Sequence, residues 1–164
     1  MEIHVYDRNL KRLGHIENHT SLQWHRKYYE CGTFELHCPV TAENLRLLKP
    51  GNIITKGDKK EAAVIRGDQT EEESTLVNEI TRNGYFLPVY LGDRLTGPLF
   101  NFNGTVEDAM HFMLNRMEKI PLLQIGADTG DKTKVQFQAT YKNVLEYHTK
   151  LARFAEIGFR ICLL

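Results

Sequence analysis

The sequence predicts an α+β protein: an antiparallel β module, barrel-like or sandwich, followed by a smaller α+β module with two amphipathic helices. Three observations carry this. Apolar residues alternate with polar ones, the period of half-buried strands, in SLQWHRKYYECGTFELHCPVTAENLRLLKPGNII from Ser21 to Ile54. Short segments of this kind recur between turn residues up to Gly84. Beyond Thr105 the period changes to that of a one-sided helix. The expected organisation is a β module over 1–84, an irregular connection over 85–104 and an α+β module over 105–164.

In chain order, Glu2 to Tyr6 and Leu13 to Glu17 read as a hairpin around Asp7-Arg8-Asn9, with Ile3 and Val5 inward. Leu22, Trp24 and Tyr28 recur at even spacing, and Phe34, Leu36 and Cys38 alternate with Thr33, Glu35 and His37. Gly32 between them supplies backbone freedom for the reversal. Thr41 stands where a helix N-cap belongs, Leu45 and Leu48 share a face, and Pro50-Gly51 stop the short helix. Asn52 to Lys56 and Glu61 to Arg66 are two further strands, joined by Gly57-Asp58-Lys59-Lys60. Gln69 to Ser74 is an acidic tip, and Leu76 to Thr81 returns as a strand that Asn83-Gly84 closes.

Phe86 to Leu91 reads as a helical turn and Gly92 to Gly104 as an irregular crossing. A helix then starts at Thr105, with Asp108 completing an approximate capping box. Its apolar residues are Val106, Ala109, Met110, Met113, Leu114 and Met117. A second helix begins after Thr140 and places Val144, Leu145, Leu151, Ala152 and Ala155 on one face, with His148 among them. Strands over Lys134 to Ala139 and Phe159 to Leu163 flank it. The last of these ends the sequence on an apolar edge, which predicts either pairing with a sister subunit or a longer ancestor cut short.

Bulk composition excludes several classes. With 164 residues, 41% hydrophobic and 26% charged, the chain has the make-up of an ordinary globular protein. Lys+Arg 21 balances Asp+Glu 21, so no global field favours nucleic acid or an anionic membrane, and neither is expected as a partner. No stretch approaches the ~20 apolar residues of a membrane helix, and the start lacks a signal-peptide pattern, so synthesis in a cytoplasm is expected. Cys31, Cys38 and Cys162 lack zinc-knuckle spacing and read as free thiols.

Candidate chemistry is sparse. His15 and His19 straddle a strand-to-loop transition where a four-residue spacing does not converge, without a carboxylate at ligand spacing in sequence. His25 and His37 fall on polar strand faces and could oppose one another, with Glu35 nearby. Solvated strand histidines are far commoner than functional clusters. His148 reads as a core-edge residue. There is no nucleophile elbow, and the only serines are Ser21 and Ser74. Glu71-Glu72-Glu73 reads as a solvated tip, and Gly92 to Gly97 as neither a P-loop nor a dinucleotide fingerprint. Trp24, Arg26, Tyr28 and Tyr29 form a conceivable stacking platform, though alternation commits most of that surface to packing. No catalytic, metal-binding or cofactor-binding residue, and no cofactor, is expected.

The segments EIHVYDRNLKRLGHIEN and SLQWHRKYYECGTFELHCPVTAENLRLLKPGNIITKGDKKEAAVI resemble the N-terminal region of siphophage gene-thirty-seven-like tail proteins. NFNGTVEDAM and YKNVLEYHTKLARFAEIGFRI are similar to that family's two helices and following strand. The resemblance implies a non-enzymatic tail protein related to the baseplate hub, in rings that are often trimeric. It implies tube, distal-tail and fibre proteins as partners and the virion tail as location. Cell-wall-degrading activity in such tail-associated proteins belongs to C-terminal domains. Within that reading, Phe159, Ile161, Leu163 and Leu164 are the candidate interface, by strand addition. Two alternatives stand beside it. One is a cell-wall hydrolase fragment using Glu35, His25 and His37, which requires those groups to converge. The other is a glycan- or peptide-binding module, which requires Trp24 and the tyrosines to be exposed.

Overall fold

The computed structural model describes residues 1–57, 59–69 and 79–164. Asp58, the predicted acidic tip from Thr70 to Ser74, and the start of the predicted return strand at Leu76 to Asn78 lie outside the described residues. The chain divides into two compact units. The first is Met1–Lys27, Cys31–Leu87 and Arg160–Leu164, and the second is Tyr28–Glu30 and Pro88–Phe159.

The first unit is built from β1 (Ile3–Tyr6), β2 (Arg12–Ile16), β3 (Ser21–His25), β4 (Thr33–Pro39), α1 (Ala42–Leu47), β5 (Ile53–Lys56), β6 (Ala62–Gln69) and β7 (Glu79–Phe86). Among the described residues these seven strands form one antiparallel sheet in the order β2-β1-β5-β6-β7-β4-β3. The order ends at β2 and β3, so the sheet is not closed into a barrel, and the α+β class stands. The first hairpin turns where predicted: the Asp7 carboxylate accepts from the Asn9 and Lys11 amides at 2.8 and 2.9 Å. Ile3, Val5, Phe34, Leu36 and Cys38 are buried as the alternation requires. β5 and β6 bury consecutive residues, which is why IIT and AAVI run without alternation.

Three local expectations change. β3 ends at His25, and Tyr28 lies in the second unit, largely exposed. The alternating face needs an apolar residue at position 26, and Arg26 is there instead, solvated. In α1 the Thr41 hydroxyl accepts from the Asn44 amide at 3.0 Å, as an N-cap should. The buried leucines are Leu47 and Leu48, while Leu45 faces solvent. Gly32 does not adopt a positive φ. Its lack of a side chain matters for space, because a Cβ there would lie 2.5 Å from the His25 carbonyl oxygen.

The segment after Phe159 makes one antiparallel bridge, Cys162 to Glu61, and the Leu163 amide donates to the Lys60 carbonyl at 2.8 Å. It does not extend into the strand that its alternation predicts.

The second unit comprises α2 (Val89–Gly92), β8 (Phe100–Thr105), α3 (Val106–Arg116), β9 (Lys134–Ala139) and α4 (Val144–Ala155). β8 lies inside the predicted irregular crossing. Asn101, Asn103 and Gly104 lower its intrinsic strand preference, and cross-strand pairing with β9 decides the outcome, Phe102 opposite Phe137 and Phe100 opposite Ala139. Phe100, Phe102, Phe112, Phe137 and Tyr147 then form a chain of ring contacts with centroids 5.2–5.9 Å apart. These rings lie on the buried apolar face of α3 (Val106, Ala109, Met110, Met113) and of α4 (Leu151, Ala152). The first of these helices carries its expected cap, Thr105 accepting from the Asp108 amide at 3.1 Å, and in the second Asn143, not singled out by the sequence reading, accepts from the Glu146 amide at 3.0 Å. Among the described residues no helix is long and apolar enough to cross a membrane, which says nothing of membrane-spanning β-barrels.

Gly84, buried on β7, has no room for a methyl group. A Cβ there would lie 2.0 Å from the Val64 carbonyl oxygen and 2.7 Å from the Phe34 ring. Gly84→Ala should cost about 2–3 kcal/mol, read as a lower urea midpoint. Gly126→Ala, with nothing within 4 Å of the new Cβ, should change stability by less than about 0.5 kcal/mol.

Candidate functional site

The histidine–carboxylate group on the outer polar positions of β4 is brought together only in part. Glu35 and His37 are two apart on one strand, so both project from the same face. Their side chains meet at 2.8 Å, from Glu35 Oε1 to His37 Nε2. The other ring nitrogen lies 3.2 Å from the Thr81 hydroxyl and 3.5 Å from a Glu79 carboxylate oxygen, both on the neighbouring β7. His25 is not among them. It sits opposite Thr33 while His37 sits opposite Ser21, so the two histidines occupy opposite ends of the β3–β4 pair. His25 instead lies 3.1 Å from the Gln23 side-chain oxygen. A shallow depression lined by Gln23, His25, Thr33, Glu35, Asn83 and Tyr85 runs along this face. It offers hydrogen-bonding groups to a polar ligand, and among the described residues that line it there is no serine or cysteine.

The hydrogen bond that His37 donates to the Glu35 carboxylate, reinforced by the charges of Glu35 and Glu79, raises the His37 pKa above its ordinary value of 6.5 against the opposing effect of burial.

The aromatic platform does not form as an exposed surface. The Trp24 ring packs at 4.7 Å from Phe86 and 6.0 Å from Phe34. Its indole N–H donates to Glu61 Oε2 at 2.9 Å, an oxygen that also accepts from Arg26 Nε at 2.7 Å. Tyr28 and Tyr29 belong to the second unit, edge to face at 4.9 Å.

One grouping escaped the sequence reading. It lies on the β1–β2 hairpin, where Glu2, His15 and Glu17 each offer a ligand atom and these atoms all lie within 4.8 Å of one another. His15 does have carboxylates at ligand distance, one of them two residues along the strand and the other across the pair. The register His4 opposite His15 was the signal that could have found it.

His148, which the sequence reads as a core-edge residue, is 3% exposed on α4. Its Nδ1 is 2.9 Å from the Val144 carbonyl, so that nitrogen carries the proton and donates. Its Nε2 is buried without a hydrogen-bond partner, and the ring meets Phe159 edge to face at 5.6 Å. Burial pushes the His148 pKa down to about 4. His19, on the loop after β2, likewise has a buried Nδ1 without a partner.

Of the candidate interface residues, Phe159 packs against the second unit's core, Ile161 and Leu163 are half-buried, and Leu164 is exposed. Cys31, Cys38 and Cys162 form no disulfide, and burial pushes the Cys38 thiol up to about 11, away from reactivity.

The profile of siphovirus ReqiPepy6 Gp37-like proteins matches residues 2–163, nearly the whole sequence. The chain belongs to that family. The fold of this Gp37-like chain is also similar to a solved structure, prophage tail protein gp18 from Listeria monocytogenes EGD-e, with a TM-score of 0.66 at 13% identity. The alignment covers 93% of the Gp37-like chain and 45% of gp18, so the chain spans less than half of that protein's length. At that identity the likeness concerns the fold alone. No curated protein matches the sequence.

Two titrations follow from the Gp37-like geometry. His37 gains a carboxylate partner on folding, so its contribution to stability is full below pH 6.5 and fades as pH rises through its higher folded pKa. NMR should show His37 titrating above 6.5 in the folded protein, and Glu35→Gln should bring it down. His148 has the opposite sign. It is neutral when folded, so stability is retained above pH 6.5 and falls as pH drops toward about 4, by a total of about 3 kcal/mol. His148→Leu should flatten the acid limb of the unfolding curve over that range.

Proposed function

We propose that this chain is a non-enzymatic structural component of a phage or prophage tail tip, in the baseplate hub, where copies associate in a ring and contact other tail proteins. The observation that carries the reading is the family match over residues 2–163, and the fold likeness to a prophage tail protein supports it. The tube, distal-tail and fibre proteins are the proposed partners, the virion tail the proposed location, and the host cytoplasm the place of synthesis.

Several structural features favour a scaffold over the two alternatives. The hydrolase reading needs Glu35, His25 and His37 together, and His25 stands at the far end of the strand pair. The glycan-binding reading needs an open tryptophan face, and Trp24 spends its ring on Phe34 and Phe86.

In a closed ring each copy uses two different surfaces. Ile161, Leu163 and Leu164 are the proposed contact from one side, beside the single bridge that Cys162 makes to Glu61. Phe159, the fourth residue of the proposed contact, packs against the second unit's core.

Light scattering should return a mass of three times 19.0 kDa at high protein concentration. Leu163→Asp should shift it to the single-chain mass with an unchanged circular dichroism spectrum. A strict monomer for the unaltered protein overturns the ring.

A further inference from the structure

The β1–β2 hairpin carries a set of side chains that the tail-protein reading does not use. Ile3 pairs with Ile16 and His4 with His15, so even-numbered positions on β1 and odd-numbered positions on β2 project to one face. Glu2 and His4 are therefore on the face that His15 and Glu17 share. Two imidazoles and two carboxylates collect there.

One ligand atom from each of Glu2, His15 and Glu17 lies within 4.8 Å of the others, with the two carboxylates beside different nitrogens of the His15 ring. Glu2 Oε1 lies 3.7 Å from His15 Nδ1, and His15 Nε2 lies 3.4 Å from Glu17 Oε1. His4 is 4% exposed, and its Nε2 lies 3.0 Å from the same Glu2 oxygen. That contact fixes Glu2 from behind, as the outer partners of metal ligands do. His15 and Glu17 are open to solvent, so an ion can reach them.

We propose that Glu2, His15 and Glu17 bind a divalent transition-metal ion of the zinc type, with His4 as a positioning residue. One nitrogen and two carboxylate oxygens form a borderline donor set, suited to zinc, nickel or cobalt more than to calcium, which prefers oxygen alone. Three protein ligands leave room for water or a further donor in the fourth position. A bound ion would tie β2, an end strand of the sheet, to β1 through side chains as well as through the backbone ladder.

The resident competitor is Arg12. Its Nη2 lies 3.2 Å from Glu2 Oε1, where it already neutralises part of the carboxylate charge. Metal entry requires that guanidinium to swing aside, which its half-exposed side chain permits.

The test is titration of the full chain with ZnCl2 by calorimetry, and with CoCl2 by visible absorption, in a non-chelating buffer. The expected result is one ion per chain and a visible cobalt band. Zinc should also raise the melting temperature, because it binds the folded hairpin. His15→Ala and Glu17→Ala, both at exposed positions, should each weaken binding by about tenfold or more and abolish the thermal shift. Arg12→Ala should strengthen binding severalfold. Absence of heat, band and thermal shift overturns the site, and so does binding that His15→Ala and Glu17→Ala leave unchanged.

Discussion

A guanidinium buried in an apolar sheet face holds the first unit's short helix in place. Arg82 is on β7 in step with Ile80, Gly84 and Phe86, so parity points it to the interior, and it is 6% exposed. There its Nε donates to the Leu48 carbonyl at 2.9 Å, and Nη1 donates to the Thr81 carbonyl at 3.0 Å. The carbonyls at a helix's C-terminal end have no partner within the helix and carry partial negative charge. A cation is therefore stabilising there, and deleting it would leave a buried carbonyl dry. A helix of six residues is far too short to persist alone. Its position comes from Leu47 and Leu48, fully buried, and from polar ties at both ends. Asn44 Nδ2 donates to the Pro39 carbonyl at 2.8 Å, and Asn52 Nδ2 donates to the Leu47 carbonyl at 2.7 Å.

The second unit solves a similar problem with a carboxylate. Residues 118–133 have no helix or strand, and a stretch of that length needs anchoring. Glu107, 8% exposed in the first turn of α3, accepts from the Thr129 amide at 2.7 Å, the Thr129 hydroxyl at 3.1 Å and the Gly130 amide at 3.2 Å. Three donors on one carboxylate offset its burial. At the other end of α3, Arg116 lies over the Phe100 and Phe112 rings at 5.0 and 5.5 Å from their centroids, adding a cation–π contact to the aromatic chain.

What the sequence made legible was local. Caps at Thr41 and Thr105, the Asp7 turn and the alternation of Phe34, Leu36 and Cys38 are each decided within a few residues. The fold class followed from those periods, and the residues of the family resemblance pointed to the family that the chain belongs to. What was hidden depends on partners distant in sequence. β8 reads as a crossing until β9 is set beside it. The burial of Arg82 is not legible in its neighbours, because its acceptor is 34 positions away. The neighbours of His15 become visible only once the hairpin register is known. Gly32 shows the same limit: sequence cannot distinguish a glycine needed for its dihedral angles from one needed for its missing methyl group.

Trp24 is the sole indole in the chain, and its described ring and hydrogen-bond partners, Phe34, Phe86 and Glu61, belong to the sheet unit. Its emission consequently reports on that unit, while Tyr29 and Tyr147 pack in the other. A denaturation curve followed at the indole wavelength follows the packing of Phe34 and Phe86 around it, and agreement between it and far-ultraviolet ellipticity would be evidence that the two units melt as one.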